Sequence, residues 1–150
     1  MRLALYQPDI AQNTAAILRL GACLGVSVDI VEPCGFLFTE KGFKRAGMDY
    51  LEMASILRHN SWEAFEAARG AGRLVLLTTK AALPYTDFAF AVDDTLLLGR
   101  ESAGVPDEVH DAADARLLIP MRAGLRSINV AQAAAMVVGE ALRQTNGFPA

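Results

Sequence analysis

The sequence predicts an α/β protein: a mostly parallel sheet flanked by helices, in a single domain over residues 1–150. Short apolar runs alternate with stretches of helical period along the whole chain, the pattern of a parallel sheet with helical crossovers. Gly and Pro punctuate nearly every change of period, and 150 residues suit one domain. Two late segments each follow an apolar run and lead into a helical stretch. They are Leu98-Gly99-Arg100-Glu101-Ser102-Ala103-Gly104-Val105-Pro106, and Ile119-Pro120-Met121 with Arg126-Ser127-Ile128-Asn129. A parallel α/β protein places its ligand site at such strand ends.

Residues 2–6 read as a first strand, ended by the turn Gln7-Pro8-Asp9. A helix follows from about Gln12 to Leu24, with Ala16, Ile17, Leu20, Cys23 and Leu24 at i, i+3/i+4 spacing, and Gly25 stops it. Val26–Val31 reads as a strand. Residues 36–50 read as a loop and short helix, and 52–57 as a weak strand. Ser61 is a good N-cap for a helix over Trp62–Arg69, which Gly70 and Gly72 end. Arg73–Thr79 and Thr95–Leu98 are strands, Pro106–Ala112 a short helix, and Arg116–Ile119 a last strand. Ser127 or Asn129 opens the final helix, which runs to about Gln144. It is apolar on nearly every face, where a surface helix would carry a polar stripe. A homodimer interface is therefore expected there.

A net charge of −3 argues against a protein that coats nucleic acid non-specifically, although a local basic patch remains open. Hydrophobic residues make up 53% of the chain, yet no apolar run reaches the roughly 18 residues of a transmembrane helix. The start lacks a signal-peptide core. A cytoplasmic protein with no membrane partner is the expectation. Cys23 and Cys34 form no CxxC pair, and the two His are scattered, so no metal site is expected. Cys23 reads as a small core residue and Cys34 as a loop thiol.

The 99–104 segment is not a phosphate loop. A Walker loop needs Lys-Ser/Thr directly after its second glycine, and Val105-Pro106 stand there. Glu101 would repel phosphate, so the loop suits a neutral or cationic ligand, unless it is only a strand-to-helix turn. Ser127 and Asn129 either cap the last helix or shape a pocket for an adenine ring. Arg19 shares a helix face with Gln12; it is either a snorkelling surface residue or a functional one. Lys41, Lys44, Arg45 and Arg58 form either a solvated face or a basic patch.

Together these segments resemble the SPOUT superfamily of S-adenosylmethionine-dependent RNA 2′-O-methyltransferases. The likeness is greatest to the small single-domain branch that modifies cytidine or uridine 34 of tRNA. It is carried by Leu5-Tyr6-Gln7-Pro8-Asp9-Ile10 with Asn13 and Arg19, Glu32-Pro33 with Gly35, Arg45-Ala46-Gly47-Met48-Asp49-Tyr50, Leu77-Thr78-Thr79-Lys80, Gly99 with Glu101 and Gly104, and Ile119-Pro120-Met121 with Ser127 and Asn129. The resemblance implies a C-terminal deep trefoil knot, a homodimer, and methylation of the wobble ribose in the anticodon stem-loop of leucine tRNAs. It implies catalytic roles for Arg19, Asn129, Ser127 and Glu101. Leu77, Thr78, Gly99, Gly104, Ile119, Met121 and Ser127 would hold S-adenosylmethionine, and Lys41, Lys44, Arg45 and Arg58 would hold RNA. Another tRNA or rRNA ribose as target, or a non-catalytic nucleotide-binding module, are the competing expectations. Arg100 stands where similar sequences often carry Pro or Asn.

Overall fold

The computed structural model describes residues 1–45 and 53–150. Seven strands are β1 (Arg2–Tyr6), β2 (Ser27–Val31), β3 (Ile56–His59), β4 (Leu74–Leu77), β5 (Leu83–Pro84), β6 (Thr95–Leu98) and β7 (Ala115–Leu118). They form one sheet in the order β3-β2-β1-β6-β4-β7-β5, with every neighbouring pair parallel. The helices are α1 (Ala11–Leu24), α2 (Glu40–Arg45), α3 (Trp62–Ala68), α4 (Asp107–Ala112) and α5 (Val130–Thr145).

Alternate residues of the strands feed two cores. Leu3, Leu5, Val28, Ile30, Leu96 and Leu98 pack with α1, α5 and Phe43 on one face. Ala4, Tyr6, Val31, Leu74, Leu76 and Leu97 pack with Phe65 of α3 and Val109 of α4 on the other. Parallel strands covered on both faces have no polar side to show, which is why these strands appear in the sequence as unbroken apolar runs.

The strand ends are anchored by charge. Asp94, fully buried before β6, accepts from Arg73 Nε and Nη2 and from the Ala91 N–H, each at 2.8 Å. On the far side, buried Asp29 of β2 accepts from Arg2 Nε and meets His59 Nε2, both at 2.7 Å.

Several expectations need correction. The edge strand β3 lies over Ile56–His59 instead of 52–57, because it is half exposed and offers no apolar run; residues 46–52 lie outside the described residues. The two-residue β5 escaped notice. The buried face of α1 is Thr14, Ala15, Ile17, Leu18 and Gly21. Cys23 is exposed, on a stripe with Gln12, Ala16 and Arg19. Two apolar stripes fit the helical period, and close packing on β2 selects the one containing Gly21. The last helix keeps its expected apolar character, with Ala135 and Met136 exposed beside the polar Gln132 and Arg143. Gly25 ends α1 in the left-handed conformation, φ 68°, and Ser61 caps α3 through the Ala64 N–H, both as expected.

Gly21 tests the packing. Alanine is the better helix former by about 1 kcal/mol, but a Cβ here would stand 2.6 Å from Val26 O and 2.8 Å from Val28 Cγ2. Gly21→Ala is expected to destabilise by about 1–3 kcal/mol, read as a lower midpoint in thermal or urea unfolding. An unchanged or raised midpoint would show that propensity outweighs the clash.

Candidate functional site

Sheet register builds the site. Leu98 pairs with Leu5 and Leu77, and Leu77 with Leu117. The segments after β1, β4, β6 and β7 therefore leave the sheet at one level, at its carboxyl edge. With the starts of α1 and α5 they enclose a cleft of about 570 Å³, a size suited to a small organic ligand.

The 99–104 loop closes on itself. Arg100 N–H donates to Gly104 O at 3.0 Å and Gly104 N–H donates back to Arg100 O at 2.9 Å. Arg100 Nε also donates to Gly104 O at 3.0 Å, and its guanidinium lies 5.5 Å from the centre of the Tyr6 ring. Two glycines permit the turn: Gly104 has φ 61°, and a Cβ on Gly99 would approach Gly104 C to 2.8 Å.

This loop is tied to the segment before α1. Asp9 N–H donates to Glu101 Oε2 at 3.2 Å, and Glu101 N–H donates to Asp9 Oδ1 at 3.1 Å. The Ser102 hydroxyl donates to Asp9 Oδ2. Asn13 Nδ2 donates to Glu101 Oε1 at 3.4 Å, and Asn129 Nδ2 to Asn13 Oδ1 at 3.0 Å. Asn129 Oδ1 then accepts from the Ala131 and Gln132 N–H groups at 2.9 and 3.3 Å. Asn129 is thus the cap of α5, and Ser127 stands exposed at the cleft. Gly35 makes room for Asp9, since a Cβ there would lie 2.7 Å from Asp9 Cβ.

The facing carboxyls titrate apart. Hydrogen bonding from Glu101, then from Ser102 and the backbone, holds Asp9 down at about 2. Burial, reinforced by Asp9, pushes Glu101 above the usual carboxylate range. Two adjacent carboxyls cannot both ionise cheaply, so the pair loses its protons in separate steps, Asp9 first.

Every residue expected to hold a cofactor lines the cleft: Leu77, Thr78, Gly99, Gly104, Ile119, Met121 and Ser127. Glu101 and Asn129 join them, with Asn13, Lys80, Arg100, His110 and Arg126. Arg19 does not line it; it is exposed on α1, six residues or about 9 Å of helix beyond Asn13. Of the expected RNA contacts, Lys41 is exposed, and Arg58 pairs with Glu32 and lies 4.4 Å from the centre of the Phe38 ring. The side chains of Lys44 and Arg45 lie outside the described residues. Sequence reasoning missed Asp9, Ser102 and His110 as site residues. Asp9 was visible only as part of a turn, since its partner is 92 residues away.

An open parallel sheet with a glycine-turned loop and apolar cleft at its carboxyl edge defines an α/β domain built to hold a small nucleotide-like ligand. The model of the SpoU rRNA Methylase family matches residues 1–139, and the chain belongs to that family. It is 59% identical over 150 residues to a tRNA (cytidine(34)-2′-O)-methyltransferase of Ancylobacter novellus, covering 99% of this chain and 95% of that one. A solved structure described as giving structural insights into the 2-OH methylation of C/U34 on tRNA superposes with TM-score 0.88 at 38% identity, over 95% of this chain and 94% of that one. An AdoMet-bound rRNA methyltransferase from Sinorhizobium meliloti superposes with TM-score 0.83 at 26% identity, over 95% of this chain and 55% of that one.

Two predictions follow from this geometry. Gly99→Ala forces apart the two ends of the 99–104 loop and is expected to weaken ligand binding to the cleft by about tenfold or more, measured by calorimetry with S-adenosylmethionine. Wild-type affinity would show that the close approach is dispensable. The second concerns pH. Asp9 is depressed on folding, so its contribution to stability is complete above the unfolded carboxyl range and is lost as pH falls through about 2. Glu101 is raised, so its contribution is complete below the unfolded range and is lost as pH rises through its folded value. Urea unfolding across pH should therefore show Glu101→Gln gaining stability relative to wild type as pH rises; a pH-independent difference would refute the upward shift of Glu101.

Proposed function

We propose that this chain transfers a methyl group from S-adenosylmethionine to the 2′-oxygen of the ribose of nucleotide 34 in tRNA. Its 59% identity, over nearly the full length of both chains, to a protein with that named activity carries the reading. The cleft fits the donor. Its volume suits a nucleoside-sized ligand, Leu77, Ile119 and Met121 offer apolar contact to a base, and the glycine pair lets backbone approach closely. The loop lacks the lysine that phosphate would require, and Glu101 is compatible with a cation.

S-adenosylmethionine supplies a methyl group on a positively charged sulfur. Leu77, Thr78, Gly99, Gly104, Ile119, Met121 and Ser127 are assigned to holding it. The remaining task is to make a ribose hydroxyl nucleophilic. Arg19 is a poor base, because a guanidinium stays protonated above pH 12. Its role is to hold the neighbouring phosphate and stabilise charge developing on the 2′-oxygen, with Asn129, Ser127 and Glu101 beside the reacting atoms.

Arg19 lies outside the cleft of its own chain, and a homodimer gives it a place. Helix α1 packs against α5, and Ala16 and Cys23 of α1 and Ala135 and Met136 of α5 are exposed. Small and apolar residues of this kind suit close helix packing between two copies. The trefoil knot and the cytoplasmic setting belong to the same proposal, as do RNA contacts through Lys41, Lys44, Arg45 and Arg58. A ribosomal RNA ribose is the second target to consider, favoured by the 26% identical rRNA methyltransferase.

Arg19→Ala is expected to lose about 100-fold or more in methyl transfer while S-adenosylmethionine affinity stays within about twofold. Full activity would remove Arg19 from the mechanism. Mapping 2′-O-methyl marks in a deletion strain should show loss at tRNA nucleotide 34; an unchanged nucleotide 34 would overturn the proposed target.

A further inference from the structure

Asp9 does not line the cleft, yet it holds the residues that do. We infer that Asp9 and Glu101 act as one clasp that positions the methyl-transfer site by fixing which way the amides of Asn13 and Asn129 face. This rests on the methyltransferase reading above and makes Asp9 a positioning residue.

Donor and acceptor counting carries the inference. Asn13 turns Nδ2 to Glu101 at 3.4 Å, which leaves its Oδ1 for Asn129 Nδ2 at 3.0 Å. Asn129 then presents Oδ1 to two backbone N–H groups of α5, at 2.9 and 3.3 Å. Reversing the Asn13 amide would set oxygen against the Glu101 carboxyl oxygen and N–H against N–H at Asn129. Reversing Asn129 would set N–H against the helix N–H groups. One orientation satisfies all members, and Glu101 selects it. Each amide nitrogen carries a second hydrogen, and both side chains line the cleft. The relay therefore offers the cleft N–H donors, the polarity that stabilises negative charge growing on a ribose oxygen.

Asp9 keeps Glu101 in place. It accepts from the Glu101 N–H at 3.1 Å and from the Ser102 hydroxyl, and its own N–H returns to Glu101 at 3.2 Å. The groups turned to the pair are the Ser102 hydroxyl, the Asn13 amide and the backbone N–H groups of Asp9, Glu101 and Ser102. The 32–35 loop against Asp9 brings Glu32 and Cys34, α1 carries Arg19, and the charged or titratable side chains elsewhere around the cleft are Lys80, Arg100, His110 and Arg126.

The test compares the full-length wild type with Asp9→Asn, Glu101→Gln and Ser102→Ala, using S-adenosylmethionine calorimetry, single-turnover methylation of tRNA across pH, and a thermal melt of each. Asp9→Asn is expected to slow methyl transfer by about tenfold or more, with a smaller change in donor affinity. Glu101→Gln is expected to slow methyl transfer as well, because its amide has one oxygen to accept from Asp9 N–H and Asn13 Nδ2 where the carboxyl has two. If Asp9→Asn does not fold, Ser102→Ala loosens the clasp alone and should cost about threefold or more in rate. A wild-type rate in folded Asp9→Asn, or in Ser102→Ala where that one fails to fold, overturns the clasp. Failure of the wild type to bind the donor or methylate tRNA overturns the enzymatic reading instead.

Discussion

The insertion of β6 between β1 and β4 is the constraint on which the rest depends. β6 comes late in the chain, yet it pairs with the first strand on one side and with β4 on the other. Its register puts Leu98 level with both Leu5 and Leu77. The loop that follows Leu98 must therefore emerge beside the loop that follows Tyr6, although the two are separated by more than half of the sequence. At the opposite end Asp94, buried and held by Arg73, fixes where β6 begins. A slip of one residue would exchange the two faces of the strand and expel Leu96 and Leu98 from the core they share with α1 and α5.

This adjacency has an electrostatic consequence. Two carboxyl side chains, Asp9 and Glu101, are delivered to one point, where each caps the backbone N–H of the other. Placing two full negative charges there would oppose the folding that β6 dictates. The two backbone N–H groups, the Ser102 hydroxyl and the Asn13 amide all donate to this pair and offset the repulsion. The clasp is thus a product of sheet register as much as of residue choice. Arg100 closes the same loop from its other side through Gly104 and Tyr6.

The fold class was legible because buried parallel strands are written as apolar runs. β1, β2, β4, β6 and β7 all fall within two residues of where those runs lie. The same logic explains the failures. β3 is an edge strand with Leu57 and Arg58 exposed, and β5 is too short to leave a pattern. In α1, periodicity allowed two apolar stripes, and it placed Cys23 inside when β2 demanded Gly21. The cleft residues were legible through Gly99, Gly104 and the Ile119-Pro120-Met121 bend. Asp9 was not, because a single acidic residue in a Pro-Asp turn gains its meaning only when β6 brings Glu101 beside it. Ser127 and Asn129 were both reasonable caps by chemistry, and geometry assigned the cap to Asn129 alone.

Helix α1 carries both Asn13, which lines the cleft, and Arg19, which does not. Its first turn presents Asn13 to the carboxyl clasp and to Asn129. Nearly two turns further, Arg19 emerges on the exposed face of α1. Ile17 and Leu18, almost fully buried between those positions, hold the helix on the sheet, each side chain contributing about 1.5–3 kcal/mol by burial. The spacing between Asn13 and Arg19 is therefore set by a rigid element and not by a loop. Whatever surface covers that face of α1 is held at a fixed distance from the cleft. In a dimer, that surface would bring a second copy into register with the site, so the same helix that orders the amides would also set where the guanidinium meets the ribose.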